Sequence, residues 1–120
     1  MSKKIMIVED SNLMIAVIRK FILSENPDVT IIEARDGNEA VTKYEQEKPN
    51  LVFMDIKMPG MDGLEALEII RGKDATAKVV MCTSLKEPEQ EARANKAGAK
   101  GYIMKPFSRQ DIVDAVKNNI

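Results

Sequence analysis

Polar and charged side chains suited to phosphoryl chemistry stand directly after four short apolar runs of this sequence. Glu9 and Asp10 follow IMIV, Asp55 follows LVFM, Thr83 follows VVMC and Lys105 follows YIM. Taken alone, an acid at the end of a strand is most often a helix cap or a solvated end. The combination is more informative than any single residue, because three acids, a hydroxyl and an ammonium all come directly after apolar runs.

Three carboxylates held close together would repel one another, and the pKa of at least one of them would rise. A divalent cation with oxygen ligands removes that conflict, and a cluster with positions open to water and phosphate oxygens suits Mg²⁺ better than Ca²⁺. Lys105 and Thr83 supply a positive charge and a hydrogen-bond donor for a phosphoryl group. We therefore predict a Mg²⁺ site in which the Asp55 carboxylate is the nucleophile and forms an acyl phosphate.

Short apolar runs alternate with segments of helical period along the chain, which is typical of βα units. The runs are apolar throughout, as expected of parallel strands covered on both faces. Five such units predict an α/β fold with a doubly wound parallel sheet and five helices on both faces. Ligands bind such sheets beyond the carboxyl ends of the strands. The predicted strands are 5–8, 29–34, 51–54, 79–82 and 102–104.

Acids at fixed spacing mark the predicted starts of two helices. Asp36 with Glu39, and Asp62 with Glu65, have the spacing of a capping box with aspartate as the cap. Ser108 is predicted to begin the fifth helix. The first helix is predicted to bury one apolar stripe, made of Leu13, Met14, Val17, Ile18, Phe21 and Ile22.

The fourth helical segment, KEPEQEARANKAGAK, has alanines as its only apolar residues. It can bury little area, so we expect a weakly held, mobile helix, with an ordinary solvated helix as the equal alternative. Pro59, Gly60 and Gly63 are predicted to shape a turn that leaves Asp55 exposed beside the metal.

Composition limits the classes of function. With 120 residues, of which 44% are hydrophobic and 31% charged, we expect one domain over residues 1–120. A net charge of -1 with interleaved charges argues against direct nucleic-acid binding. One cysteine and no histidine exclude an internal disulfide and the usual zinc sites. The first apolar run is too short for a signal peptide or membrane span, so we expect a cytoplasmic protein.

Four motifs together resemble one family over essentially the whole chain. IVED, LVFMDIKMPGMDG, CTS and GYIMKPF are similar to the receiver domain of two-component response regulators. Because the sequence stops with its fifth helix, it most resembles the single-domain, chemotaxis-type regulators. The resemblance implies a flavodoxin-like sheet with strand order 2-1-3-4-5.

The resemblance also implies roles for the residues at the strand ends. Asp55 would accept a phosphoryl group from a phosphohistidine of a sensor histidine kinase. Mg²⁺ would be held by Glu9, Asp10, Asp55 and the backbone carbonyl of Lys57. The protein would be a signalling switch rather than an enzyme, with only weak intrinsic self-phosphotransfer and autodephosphorylation.

Further roles implied by the resemblance lie on the last two βα units. Thr83 would bond a phosphoryl oxygen, Lys105 would pair with the phosphate, and Tyr102 would change rotamer with Thr83. The Lys105-Pro106 peptide bond would be cis. The fourth helix, fifth strand and fifth helix would then bind a downstream target, with dimerisation of the phosphorylated form left open.

Some residues depart from the common pattern of the family. Glu9 stands where aspartate is also common, and its longer arm could hold Mg²⁺ through a water. Lys57 and Leu85 occupy positions that influence attack of water on the acyl phosphate. Leu85 cannot hydrogen-bond a water and Lys57 can obstruct one, so we expect a long-lived phosphorylated form.

Other classes of protein fit less well. A flavodoxin-like FMN carrier needs a phosphate-binding loop after the first strand, where EDSNLM is acidic and lacks glycine. A haloacid dehalogenase-type hydrolase needs a second aspartate at the position of Lys57. A phosphorylation-independent, receiver-like interaction module and the N-terminal receiver of a longer regulator remain as alternatives.

Overall fold

A computed structural model describes residues 3–120, in which five strands alternate with five helices. The strands are β1 Lys4–Val8, β2 Thr30–Ala34, β3 Leu51–Met54, β4 Val79–Thr83 and β5 Gly101–Met104. The helices are α1 Asn12–Glu25, α2 Gly37–Glu47, α3 Gly63–Lys73, α4 Pro88–Lys96 and α5 Arg109–Asn119. All strand pairs are parallel, and the order β2-β1-β3-β4-β5 confirms the predicted sheet.

The burial of the strands explains why their sequences are mostly apolar. Every residue of β3 and β4 is buried, whereas the edge strands β2 and β5 are mostly half-buried. The predicted strand bounds differ from the observed ones by one residue, because the first and fifth strands begin one residue earlier, the second begins one residue later and the fourth ends one residue later. Thr83 is the last residue of β4, because its carbonyl accepts a hydrogen bond of 2.8 Å from the Lys105 amide.

Two apolar layers hold the sheet between the helices. One face packs against α2, α3 and α4, and the other packs against α1 and α5. The predicted stripe of α1 was wrong at its first residue. Leu13 is 75% exposed because Ile15, Ile18 and Ile22 face the sheet, which turns Leu13 to the opposite side of the helix.

Side-chain caps fix the helix starts at the predicted residues. Asp36 and Asp62 accept hydrogen bonds from the amides three residues on, at 2.8 and 2.9 Å. The Glu39 carboxylate caps the Arg35 amide at 2.7 Å, so the reciprocal bond falls one residue earlier than in a capping box. Ser108 makes a complete capping box with Asp111.

The helix α4 is the least embedded of the five. Ala94 is its only fully buried residue, as predicted from a segment whose only apolar residues are alanines. Its mobility stays a prediction. None of the helices within residues 3–120 has the length and apolar character needed to cross a membrane.

Candidate functional site

The carboxyl ends of β1 and β3 form the centre of the site, because they are neighbours in the middle of the sheet. The register pairs Val8 with Met54, so Glu9 and Asp55 leave adjacent strands at the same height. The Asp55 amide donates to the Val8 carbonyl at 3.0 Å. The crossover to β2 lies on one side of β1 and the crossover to β4 on the other, which leaves a crevice at this point.

Three acids converge at this crevice as the sequence predicted. Glu9, Asp10 and Asp55 each place one carboxylate oxygen so that the three oxygens lie within 4.8 Å of one another. Glu9 and Asp55 are 3% and 7% exposed, whereas Asp10 is exposed to solvent. Clustered carboxylate oxygens with one solvated side are a donor set that fits Mg²⁺.

The ammonium of Lys105 lies between the two buried acids. Its Nζ is 2.5 Å from Glu9 Oε2 and 2.9 Å from Asp55 Oδ2. Burial lowers the pKa of Lys105, but the hydrogen bonds to both carboxylates outweigh burial and the pKa lies above its ordinary value. The sequence predicted Lys105 at the site and missed its contact with Glu9. The signal for this contact was the longer side chain of glutamate, which can extend farther from β1 than aspartate can.

Asp55 is nearly buried, so the prediction that the following turn exposes it was wrong. Its Oδ1 accepts a hydrogen bond of 2.7 Å from the Ile56 amide. Gly60, with φ 73°, shapes the loop as predicted. Gly63 instead begins α3 and donates to the Ile56 carbonyl at 2.8 Å, which packs the start of α3 against the residue after the acid.

Thr83 is fully buried and is linked to β5 through Leu85. The Thr83 hydroxyl accepts a hydrogen bond of 3.3 Å from the Leu85 amide, and the Tyr102 hydroxyl donates to the Leu85 carbonyl at 3.2 Å. Lys57 is exposed, Leu85 is half-buried, and the Lys105-Pro106 bond is cis. The loop after β4 therefore connects the predicted phosphate ligand to the predicted aromatic residue.

Glu9 carries a strongly shifted pKa. Burial raises it, the hydrogen bond from Lys105 lowers it, and the charge of Asp55 raises it again, with a result of about 7 against an ordinary 4.5. Between pH 4.5 and about pH 7, Glu9 is therefore protonated in the folded protein and ionised in the unfolded chain. The tighter proton binding stabilises the folded state, and this stabilisation is fully present below pH 4.5 and is lost as the pH rises through about 7.

We expect this loss to be visible in the metal-free protein. The free energy of unfolding of the wild type should fall from pH 4.5 to pH 8 relative to that of Glu9→Gln, which cannot titrate at this position. Urea unfolding in EDTA at several pH values measures the difference, with Asp10, Asp55 and Lys105 unchanged in both proteins. Parallel pH profiles of the two proteins would contradict a shifted Glu9.

Comparisons with known proteins agree with this geometry. The model of the response regulator receiver domain family matches residues 5–117. Chemotaxis protein CheY of Halobacterium salinarum is 43% identical over 98% of this chain and 97% of its own length. CheY of Bacillus subtilis is 39% identical over 100% of this chain and 99% of its own length.

Solved structures give the same result. A CheY-like receiver domain protein from Methanospirillum hungatei superposes with a TM-score of 0.91 at 30% identity, covering 98% of this chain and 93% of that one. The CheX-CheY-BeF3-Mg complex from Borrelia burgdorferi matches with a TM-score of 0.89 at 31% identity, covering 97% and 87%. The chain described here therefore belongs to the response regulator receiver domain family and is similar to its CheY chemotaxis members.

Proposed function

We propose that Asp55 accepts a phosphoryl group from the phosphohistidine of a sensor histidine kinase. The observation that carries the proposal is the convergence of Glu9, Asp10, Asp55 and Lys105 at one crevice of a receiver-family chain. An Asp55 oxygen attacks phosphorus, and the bond from phosphorus to the imidazole nitrogen breaks with its electron pair left on that nitrogen. The product is an acyl phosphate on Asp55.

The metal ligands follow from the same crevice. Glu9, Asp10, Asp55 and the backbone carbonyl of Lys57 would hold Mg²⁺, which supplies charge neutralisation for the phosphoryl oxygens when it is bound. The relative from Borrelia burgdorferi, whose solved complex contains Mg and BeF3, supports this assignment. Lys105 would exchange its contact with Asp55 Oδ2 for a phosphoryl oxygen, and the Thr83 hydroxyl would donate to another.

Partner binding would follow from the loop after β4. The Thr83 hydroxyl, which accepts from the Leu85 amide, would move toward the phosphoryl group to donate to it. That movement would break the contact with Leu85, so that Leu85 could shift and Tyr102, which donates to the Leu85 carbonyl, could change rotamer. The face of α4, β5 and α5 would then bind a downstream protein. A solved CheY that is bound to CheX supports a protein partner. We place the switch in a cytoplasmic chemotaxis pathway, as one receiver domain over residues 1–120.

Intact mass after incubation with acetyl phosphate tests the proposed function. With Mg²⁺ we expect one added phosphoryl group on the wild type, and with EDTA we expect none. Weak self-phosphotransfer of this kind needs no kinase. If Mg²⁺ binds and no adduct forms, the phosphorylation-independent interaction module replaces the proposal.

The lifetime of the phosphorylated form is a separate prediction. Leu85 has no group that can orient a water, and the exposed Lys57 side chain lies two residues after the acceptor. The double variant Leu85→Glu with Lys57→Asn should lose its phosphoryl group about tenfold faster, which corresponds to about 1.4 kcal/mol of barrier. The decay of the intact-mass adduct after removal of acetyl phosphate measures the rate.

The control variant is Lys86→Glu, which adds an acid beside Leu85 and should leave the rate of phosphoryl loss unchanged. If the adducts of the wild type and the double variant decay at the same rate, residues 57 and 85 do not control the lifetime of the phosphorylated form.

A further inference from the structure

The two ends of α4 differ in how firmly they are attached to the rest of the domain. Its N-cap residue Glu87 makes no side-chain cap, and Pro88 begins the helix. The other four helices all have a side-chain cap, supplied by Ser11, Asp36, Asp62 and Ser108. The amino-terminal end of α4 is therefore the loosely held end, and it directly follows the loop that bears Leu85.

The carboxyl-terminal end of α4 is fastened to α3 by the guanidinium of Arg71. Arg71 Nε donates to the Ala97 carbonyl at 3.3 Å, and Nη1 donates to the carbonyls of Ala75 and Ala77. Gly98, with φ 95°, makes room for this contact. A Cβ there would lie 2.6 Å from Arg71 Nε and Nη2. Arg71 thus fixes one end of α4 to the α3-β4 connection.

A second arginine joins the two helices one turn nearer the loose end. Arg93 Nε and Nη2 donate to the two carboxylate oxygens of Glu68 at 2.9 and 2.7 Å, a bidentate geometry. Both side chains are 42% exposed, so solvent screens the pair. Because Ala94 is the only residue that α4 buries completely, this pair is one of the few contacts that oppose movement of α4 away from α3.

We propose that the Glu68-Arg93 ion pair is a latch that holds α4 against α3 in the unphosphorylated protein and slows phosphorylation of Asp55. The proposal rests on the proposed function for its second part. In the proposed function the Thr83 hydroxyl moves toward the phosphoryl group and releases the Leu85 amide, and Leu85 belongs to the segment that leads into α4. A conformation in which α4 has turned about its Arg71 anchor favours that release, and the latch lowers the population of this conformation.

The expected effect is modest because the pair is exposed. An exposed ion pair contributes up to about 1 kcal/mol, which corresponds to an increase of about two- to fivefold in the population of the released conformation. The phosphorylation rate should rise by the same factor. The charges that face Arg93 from α3 and the loop before it, Asp62 and Glu65, are kept in all variants.

Two measurements on Glu68→Gln, Arg93→Gln and the double variant test the latch. Amide hydrogen exchange of the unphosphorylated protein should be faster in α4, and the initial rate of adduct formation with acetyl phosphate and Mg²⁺ should rise two- to fivefold. Each single variant should have the effect of the double variant, because either change opens the same pair.

The Lys73-Glu45 pair between α3 and α2 is the matched control, with a distance of 2.6 Å and side chains that are 57% and 51% exposed. Glu45→Gln should change neither α4 exchange nor the phosphorylation rate. Unchanged amide exchange of α4 in Glu68→Gln would overturn the latch. Faster exchange of α4 with an unchanged phosphorylation rate would show that the pair holds α4 but does not slow phosphorylation, which contradicts the second part of the proposal. Absence of any adduct on the wild type would overturn the proposed function, while the exchange data would still decide whether the pair holds α4.

Discussion

Asp55→Asn is expected to abolish the Mg²⁺-dependent phosphoryl adduct completely. The amide of asparagine is a poor nucleophile and removes one charged metal ligand, so both requirements of the reaction are lost together. The variant should fold, because the amide oxygen can still accept the 2.7 Å hydrogen bond from the Ile56 amide, and Lys105 keeps its contact with Glu9. Intact mass after incubation with acetyl phosphate and Mg²⁺ gives the result directly.

The control for this prediction is Asp28→Asn. Asp28 is an exposed acid in the turn before β2, so the substitution makes the same chemical change away from the site. We expect a wild-type adduct on this variant. An adduct of normal yield on Asp55→Asn would mean that another group accepts the phosphoryl group.

Gly63→Ala should destabilise the fold and distort the acceptor. A Cβ at this position would lie 1.8 Å from the Asp55 carbonyl oxygen and 3.0 Å from the Ile56 Cα. These are backbone atoms of the segment that leaves β3, so they cannot turn aside as a side chain would. Relief requires the start of α3 to move away from the sheet. We expect a loss of about 3 kcal/mol or more in the free energy of unfolding, measured in urea, and slower phosphorylation.

Gly72→Ala, in the same helix, is the matched control. A Cβ at Gly72 has no neighbour within 4 Å, and alanine favours a helix interior. We expect this variant to gain about 0.5–1 kcal/mol and to be phosphorylated like the wild type. Equal stability of the two alanine variants would show that α3 does not press on the Asp55 backbone as described.

The fold was predictable from the sequence because its signals are local or topological. The caps at Asp36, Asp62 and Ser108 depend on contacts across three residues, and all three were found where predicted. The apolar strands give the sheet, and the rule for parallel sheets places Glu9 and Asp55 side by side without any knowledge of packing. Chemistry at strand ends is therefore the part of a site that a sequence best reveals.

The features that escaped prediction depend on tertiary packing. Leu13 fits an apolar stripe as well as Ile15 does, and only the sheet surface decides which of them is buried. The burial of Asp55 and the tight contact at Gly63 arise from the approach of α3 to β3. The Glu68-Arg93 pair joins residues 25 positions apart, and nothing in the local sequence distinguishes it from other exposed charges.

Locating the phosphoryl group along the chain tests the central claim most directly. The wild type is phosphorylated with acetyl phosphate and Mg²⁺, the acyl phosphate is reduced with borohydride to homoserine, and tryptic peptides are analysed by mass. Because Lys48 precedes Pro49, Asp55 lies in peptide 44–57, and Glu9 and Asp10 lie in peptide 5–19. We predict homoserine at position 55 alone. Reduction in peptide 5–19, or in no peptide of a protein that carries the adduct, would contradict Asp55 as the acceptor.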